Sequence, residues 1–341
     1  MSSPRIGLLL VCLAGVLWGT GGLALEILRD HSSMSVLTVS AYRMLIAALV
    51  LVAVSFVLRR GPQLAALVRA HPVRAVVVGL GTGAYQALYF GSVATAGVTV
   101  ATVVSLGLAP VLLAAVDLVR ARRRTAVRPR STLRLGLVVS TALSGLVLVS
   151  AASGADAVGP RPVLGLLLAI ASGSVYAATT ALGGTLLASP VVDPLALTTV
   201  ATTAGAVGLV PVALAGGGPF VTSDPAALGT LAYLGVFTMA LAYGLFYAGL
   251  RTTRSGAAVV ATLLEPVTAA VAAAIVLGER LGPLGIVGSV LILAAVAGID
   301  EHGMDEHGVD EHGVDERGMD EHGVDEGTVD EHSPAPLTQD G

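Results

Sequence analysis

The chain has 341 residues, of which 54% are hydrophobic and only 12% charged, against about 25% charged in soluble domains. Residues 1–299 carry 18 Arg and 8 acidic residues, whereas residues 300–341 carry 15 acidic residues and one Arg, so the net charge of −4 averages two unlike pieces. A soluble enzyme core, a coiled coil and a disordered chain are excluded for residues 1–299, which read as an all-α integral membrane protein.

A helix needs about 20 mainly apolar residues to cross about 30 Å of hydrocarbon. In chain order, ten transmembrane helices are predicted: 6–25, 36–58, 74–94, 98–119, 133–152, 162–187, 195–215, 226–249, 256–277 and 281–299. The first follows Arg5 and exceeds the roughly 7–15-residue apolar run of a signal peptide, so it is read as a span. With the N-terminus inside, 14 of the 18 Arg fall on the inner side: Arg5; Arg59, Arg60, Arg69 and Arg74; the cluster from Arg120 to Arg134; and Arg251 with Arg254. The outer side holds Arg29, Arg161 and Arg280, and Arg43 lies within a span. The positive-inside rule then predicts that both termini and the 120–134 loop are cytoplasmic. The absence of Lys, so that every fixed positive side chain is Arg, together with heavy Ala, Gly and Val suggests a bacterial source and hence the inner membrane.

Shifting the sequence by 158 lays PRIGLLLVCLAGVLW, from Pro4, over PVLGLLLAIASGSVY, from Pro162; Gly7 meets Gly165, Gly15 meets Gly173 and Trp18 meets Tyr176. At a shift of 156, TVATVVSLGLAP (Thr99 to Pro110) lies over SGAAVVATLLEP (Ser255 to Pro266). Residues 1–152 and 153–299 thus read as two five-helix copies. An odd number of spans per copy inverts the second, which places a substrate site near the midplane between them.

These features resemble the EamA-type transporters of the drug/metabolite transporter superfamily. The residues that carry the likeness are WGT at Trp18–Thr20, the Tyr42-Arg43 pair, YQALYF (Tyr85–Phe90), the span containing Pro110, and above all LLEPVTAAVAAAIVLGERLGPLGIVGSVLILAAV from Leu263 to Val296. The resemblance implies two inverted five-helix repeats and a secondary-active transporter exporting a small metabolite, amino acid-like solute or drug by alternating access. The halves differ, since no Glu precedes Pro110 and Arg122-Arg123 stand where GE stands later.

An ionisable group at membrane depth is costly and faces the bundle interior or a cavity. Glu265 is the clearest case, followed by Pro266, which frees a carbonyl one turn earlier. It reads either as a proton-coupling carboxylate or as an interhelical hydrogen-bond partner kept for packing. Pro110 and Pro266 are the matched prolines, each expected to break its helix. Arg43 reads as a contact for an anionic substrate group, with permanent pairing or snorkelling as the rivals. Trp18, Tyr42, Tyr85, Tyr89, Tyr176, Tyr243 and Tyr247 form a further layer, because a Tyr in hydrocarbon needs a hydroxyl partner and turns to the core. Gln86, the one amide inside a predicted span, adds a donor and acceptor. Cavity lining and ordinary packing both fit this layer.

GLGTG at Gly79–Gly83 follows no strand and is not read as a phosphate loop. No Ser/His/Asp or paired-carboxylate arrangement appears, so no enzyme activity, cofactor or metal is expected. The expected partners are the lipid bilayer, a small-molecule substrate and protons as coupling ion; no nucleic acid is expected, and a homodimer is left open. A membrane enzyme or sensor is the rival from another class, and a transporter of nucleotide-sugar or lipid-linked substrates is the rival within transport. From Asp300 the chain repeats as DEHGM, DEHGV, DEHGV and DERGM, with five of the seven His. So much charge cannot bury a core, so residues 300–341 are expected to be a disordered tail with at most weak metal chelation.

Overall fold

Prolines start most of the helices, since a Pro in the first turn lacks an N–H that would have no partner there anyway. Pro62, Pro72, Pro162, Pro194 and Pro225 all sit at first or second helical positions. The computed structural model describes residues 4–123, 129–152, 160–276 and 282–300, all of which fall in one unit, Met1–Gly303. The GER element and the acidic repeats lie outside the described residues.

The helices are α1 (Pro4–His31), α2 (Val36–Val57), α3 (Gly61–Ala70), α4 (Pro72–Ala96), α5 (Val98–Arg123), α6 (Pro129–Ala152), α7 (Pro162–Leu187), α8 (Pro194–Ala215), α9 (Pro225–Gly235), α10 (Ala242–Leu250), α11 (Ser255–Ala261), α12 (Leu264–Val276) and α13 (Pro283–Asp300). Eight helical segments are long and apolar enough to cross a membrane, counting α9–α10 and α11–α12 as one each. Gly136–Ala152 and Pro283–Gly298 are shorter apolar helices. Ten spans of full length are therefore not what the described residues show. The Arg-rich 120–134 segment is also not simply a loop, because α5 continues to Arg123 and α6 starts at Pro129. Arg is a good helix former, so a helix leaving an apolar layer has no reason to stop at it.

Two departures from regular helix matter for the site. Between α9 and α10 the chain forms a π segment, Val236–Leu241. Between α11 and α12 the helix is interrupted at Thr262 and Leu263, just before Glu265 and Pro266. Pro110, in contrast, is expected from the sequence to break its helix, yet α5 runs unbroken through it.

Packing is through small residues, as it must be where lipid offers apolar surface no worse than a neighbouring helix does. Helix α4 lies against α7 and α8, α5 against α7, α2 against α8, α1 against α9, α10 and α12, and α6 against α13. The α6–α13 crossing rests on two glycines facing one another. A Cβ at Gly145 would come within 2.6 Å of the Gly288 carbonyl oxygen, and one at Gly288 within 2.7 Å of the Gly145 oxygen. Gly145→Val is expected to force these backbones apart at a cost of about 1–3 kcal/mol, typical of overpacking. A lowered midpoint in a thermal scan of the purified protein, with Gly145→Ala intermediate, checks this.

At the other end, Asp224 caps α9 by accepting from the backbone N–H groups of Ala226 (2.7 Å) and Ala227 (3.1 Å). The Ala227 N–H holds its carboxyl below the usual carboxylate range against desolvation, with the Ala226 N–H and His31 adding to the lowering. A depressed value favours the folded state above the unfolded-chain pKa, and that contribution is lost as the pH falls through the folded value. Asp224→Asn keeps an acceptor but does not titrate. It is expected to flatten the acid limb of a melting-temperature profile taken below about pH 5.

Candidate functional site

Arg43 lies in the first half of α2. Its Nη2 donates to Thr238 Oγ1 at 3.0 Å, and the Thr238 hydroxyl donates to the Leu234 carbonyl at 2.7 Å. Thr238 belongs to the π segment, a geometry that recurs at functional sites. The Arg43 Nε is buried with no hydrogen-bond partner, a costly arrangement unless something else fills the place.

Glu265 approaches from the far half of the chain, in the first turn of α12. Pro266 has no N–H for the Thr262 carbonyl, which accepts instead from the Glu265 N–H at 2.9 Å; one step earlier, Leu263 N–H turns to the Val260 carbonyl at 3.1 Å. The Thr262 hydroxyl serves the break by donating to the Val259 carbonyl at 2.8 Å, and it lies 3.2 Å from the Tyr176 hydroxyl. The matched position in α5 is Leu106, which offers no hydrogen bond and is buried in an apolar cluster. The helix around Leu106 and Pro110 is unbroken. Arg43 and Glu265 lie within electrostatic range of each other, yet they form none of the ion pairs among the described residues.

Around them is an aromatic wall. Tyr85 stacks on Tyr176 with centroids 5.1 Å apart and lies 6.2 Å from Tyr89. Tyr243 lies 6.2 Å from Tyr247 and meets Trp18 edge-on at 5.1 Å. The Tyr89 hydroxyl pairs with Thr102 at 2.9 Å. Thr82, Tyr85, Tyr176, Thr179, Tyr243 and Tyr247 are among the residues enclosing a cavity of about 10 Å³, room for about one water molecule. Gln86 is buried on α4 beside Tyr85 with its amide nitrogen unpartnered.

The structure brings together Trp18, Arg43, Tyr85, Tyr89, Tyr176, Tyr243, Tyr247 and Glu265. It does not bring Tyr42 with them: the Tyr42 hydroxyl donates to the Phe220 carbonyl at 2.6 Å, and its ring packs beside Leu28 and Leu231. Adjacent residues on a helix are about 100° apart, and here that turn carries Tyr42 away from the space that Arg43 faces. Sequence reasoning missed Thr238, Thr262, Thr82 and Thr179. The one available signal was a hydroxyl four residues before Pro266, where a freed carbonyl needs company.

The EamA-like transporter family model matches residues 5–150 and again residues 163–299. An uncharacterized transporter of Bacillus subtilis (strain 168), YwfM, is 27% identical over 285 residues, covering 84% of this chain and 90% of the relative. A protein crystal structure 20% identical in sequence has the same fold, with a TM-score of 0.69 over 87% of this chain and 97% of that one. A multi-pass helical architecture and a family match over both halves of residues 5–299 lead to one assignment: the chain belongs to the EamA-like transporter family, within the drug/metabolite transporter superfamily.

Proposed function

We propose that the protein is a proton-coupled secondary transporter that exports a small polar solute across the bacterial inner membrane by alternating access. The observation that carries this reading is the placement of Arg43 and Glu265. Each comes from a different half, each is half-buried within an apolar segment, and they form no ion pair with one another among the described residues. Fixed opposite charges held apart beside a collapsible aromatic space suit a cycle in which solute and proton are taken up and released in turn.

Residues 1–152 and 153–299 act as the two inverted repeats, with α6 and α13 as the fifth span of each and ten spans in all. The twofold family match at 5–150 and 163–299 supports this, and so do the close contacts. A Cβ at Gly15 would meet the Ala261 carbonyl oxygen at 3.3 Å, and one at Gly173, 158 residues on, would meet the Ser105 oxygen at 2.6 Å, 156 residues before Ala261. Gly7 likewise lies against Thr252 and Gly165 against Ala96, again a pair of positions 156 apart. Rocking one repeat against the other opens the tyrosine cluster to either side. Arg43 then binds an anionic group of the solute, and Trp18, Tyr85, Gln86, Tyr89, Tyr176, Tyr243 and Tyr247 supply its walls.

Purified protein in proteoliposomes, offered a panel of labelled amino acids and small organic acids with and without a proton gradient, tests the function. Gradient-dependent accumulation of at least one solute is expected, and no movement of any solute under either condition would overturn it. The orientation is tested separately. In a Cys12→Ala background, single cysteines introduced at Pro129 and at Gly341 are expected to resist an impermeant thiol reagent in intact cells and to react after lysis.

A further inference from the structure

Helix α2 ends where its apolar sequence, LVAVSFVL, gives way to Arg59 and Arg60. The end is a well-formed helix stop. The Arg60 N–H reaches back to the Ser55 carbonyl at 2.8 Å and the Arg59 N–H to the Phe56 carbonyl at 3.0 Å, the two bonds of a Schellman motif. The left-handed residue of that motif is nearly always Gly, because a Cβ disfavours the conformation. Here it is Arg59, at φ 53, the one non-glycine residue with positive φ among those described. Backbone strain of this kind, kept at a position where Gly would fit freely, points to a use for the side chain.

That side chain lines an open groove of about 750 Å³ together with Val52, Ser55, Phe56, Leu64 and Thr199, between the end of α2, the short helix α3 and α8. Phe56 and Val57 are 85% and 75% exposed. The two arginines differ in their pairing. Arg60 meets Asp193 at 3.6 Å, whereas the Arg59 side chain has no ion pair or hydrogen bond with any described residue. An apolar channel beside the last turn of a membrane helix, closed at the water end by an unneutralised guanidinium, matches an anionic phospholipid. One acyl chain would follow Val52 and Phe56, and the phosphate would meet Arg59 in the planar, forked geometry that guanidinium groups offer to phosphates.

We propose that the α2–α3–α8 groove is a binding site for an anionic phospholipid whose phosphate is held by Arg59. The site is remote from the tyrosine cluster and independent of the transport cycle described above. The test is native mass spectrometry on the full chain purified with equal amounts of phosphatidylglycerol and phosphatidylcholine. The wild type is expected to retain phosphatidylglycerol preferentially. Arg59→Gly, which also relieves the strained backbone, is expected to lose that preference about fivefold, the increment that one Arg near an anionic leaflet supplies, while melting no lower than wild type after delipidation. Arg59→Gln, which keeps a long side chain, should lose it equally. Glycerol 3-phosphate, which has the phosphate but no acyl chain, should fail to displace the lipid. Equal retention of the two lipids by the wild type, an undiminished preference in both variants, or displacement by glycerol 3-phosphate would each overturn the proposal.

Discussion

Glu265→Gln is expected to abolish accumulation driven by a proton gradient while leaving solute exchange between the two faces of the membrane at a substantial fraction of wild type. Gln matches Glu in size and retains hydrogen-bonding capacity, but it does not titrate. The rival role, an interhelical hydrogen bond kept for packing, has little support in the geometry. The Glu265 carboxylate is half-buried, and no hydrogen bond or ion pair holds it among the described residues. The break before it is served by the Thr262 hydroxyl. Two paired measurements decide: uphill uptake under an imposed gradient, and counterflow with labelled solute at equal pH on both sides. Wild-type uphill uptake by the Gln variant would remove Glu265 from coupling. In that case Glu265→Ala should reveal the packing role as a loss of about 0.6–2 kcal/mol of stability.

Arg43→Gln is expected to abolish both measurements together, and that separates recognition from coupling. Removing the positive partner of a buried, charge-assisted contact costs about 2–5 kcal/mol, so solute affinity should fall at least about 30-fold. Arg43→Lys keeps the charge but loses the planar fork, and should recover only part of the loss. Thr238→Val gives the control. It removes the hydroxyl that accepts from Arg43 Nη2 at 3.0 Å without touching any charge, so a smaller loss of affinity with normal coupling is the expected result. Counterflow by Arg43→Gln at the wild-type rate would show that the guanidinium is structural.

The membrane character and the two charges inside apolar stretches were legible from residue types alone, because a charge in 20 apolar residues stands out whatever the surrounding fold. Helix irregularity was less so. Prolines 110 and 266 look equivalent in the sequence, yet only the second follows a break, and the matched positions before them differ: Thr262 bonds the Val259 carbonyl, whereas Leu106 is packed in an apolar cluster. The π segment at Val236–Leu241 left no trace in its composition. Helix α3, with ten residues, falls below any spanning criterion and so did not register as an element. Tyr42 reads in the sequence as one of the in-span tyrosines that turn to the core for a hydroxyl partner, and it does find one, but not beside the others. Which side of a helix faces the shared space is a matter of angle, and one residue's rotation placed Tyr42 against the α8–α9 connection instead.

The 10 Å³ space among the tyrosines has an electrical consequence. A hydrated ion carries a shell of several waters, and this space has room for about one. Under the proposed cycle, rings of Tyr85, Tyr176, Tyr243 and Tyr247 that close this tightly on one another would make the empty protein an insulating plug at this point rather than a conductive pore. In that cycle the stored membrane voltage would be spent only when a loaded molecule parts the rings, and an idle population would draw no current through this point.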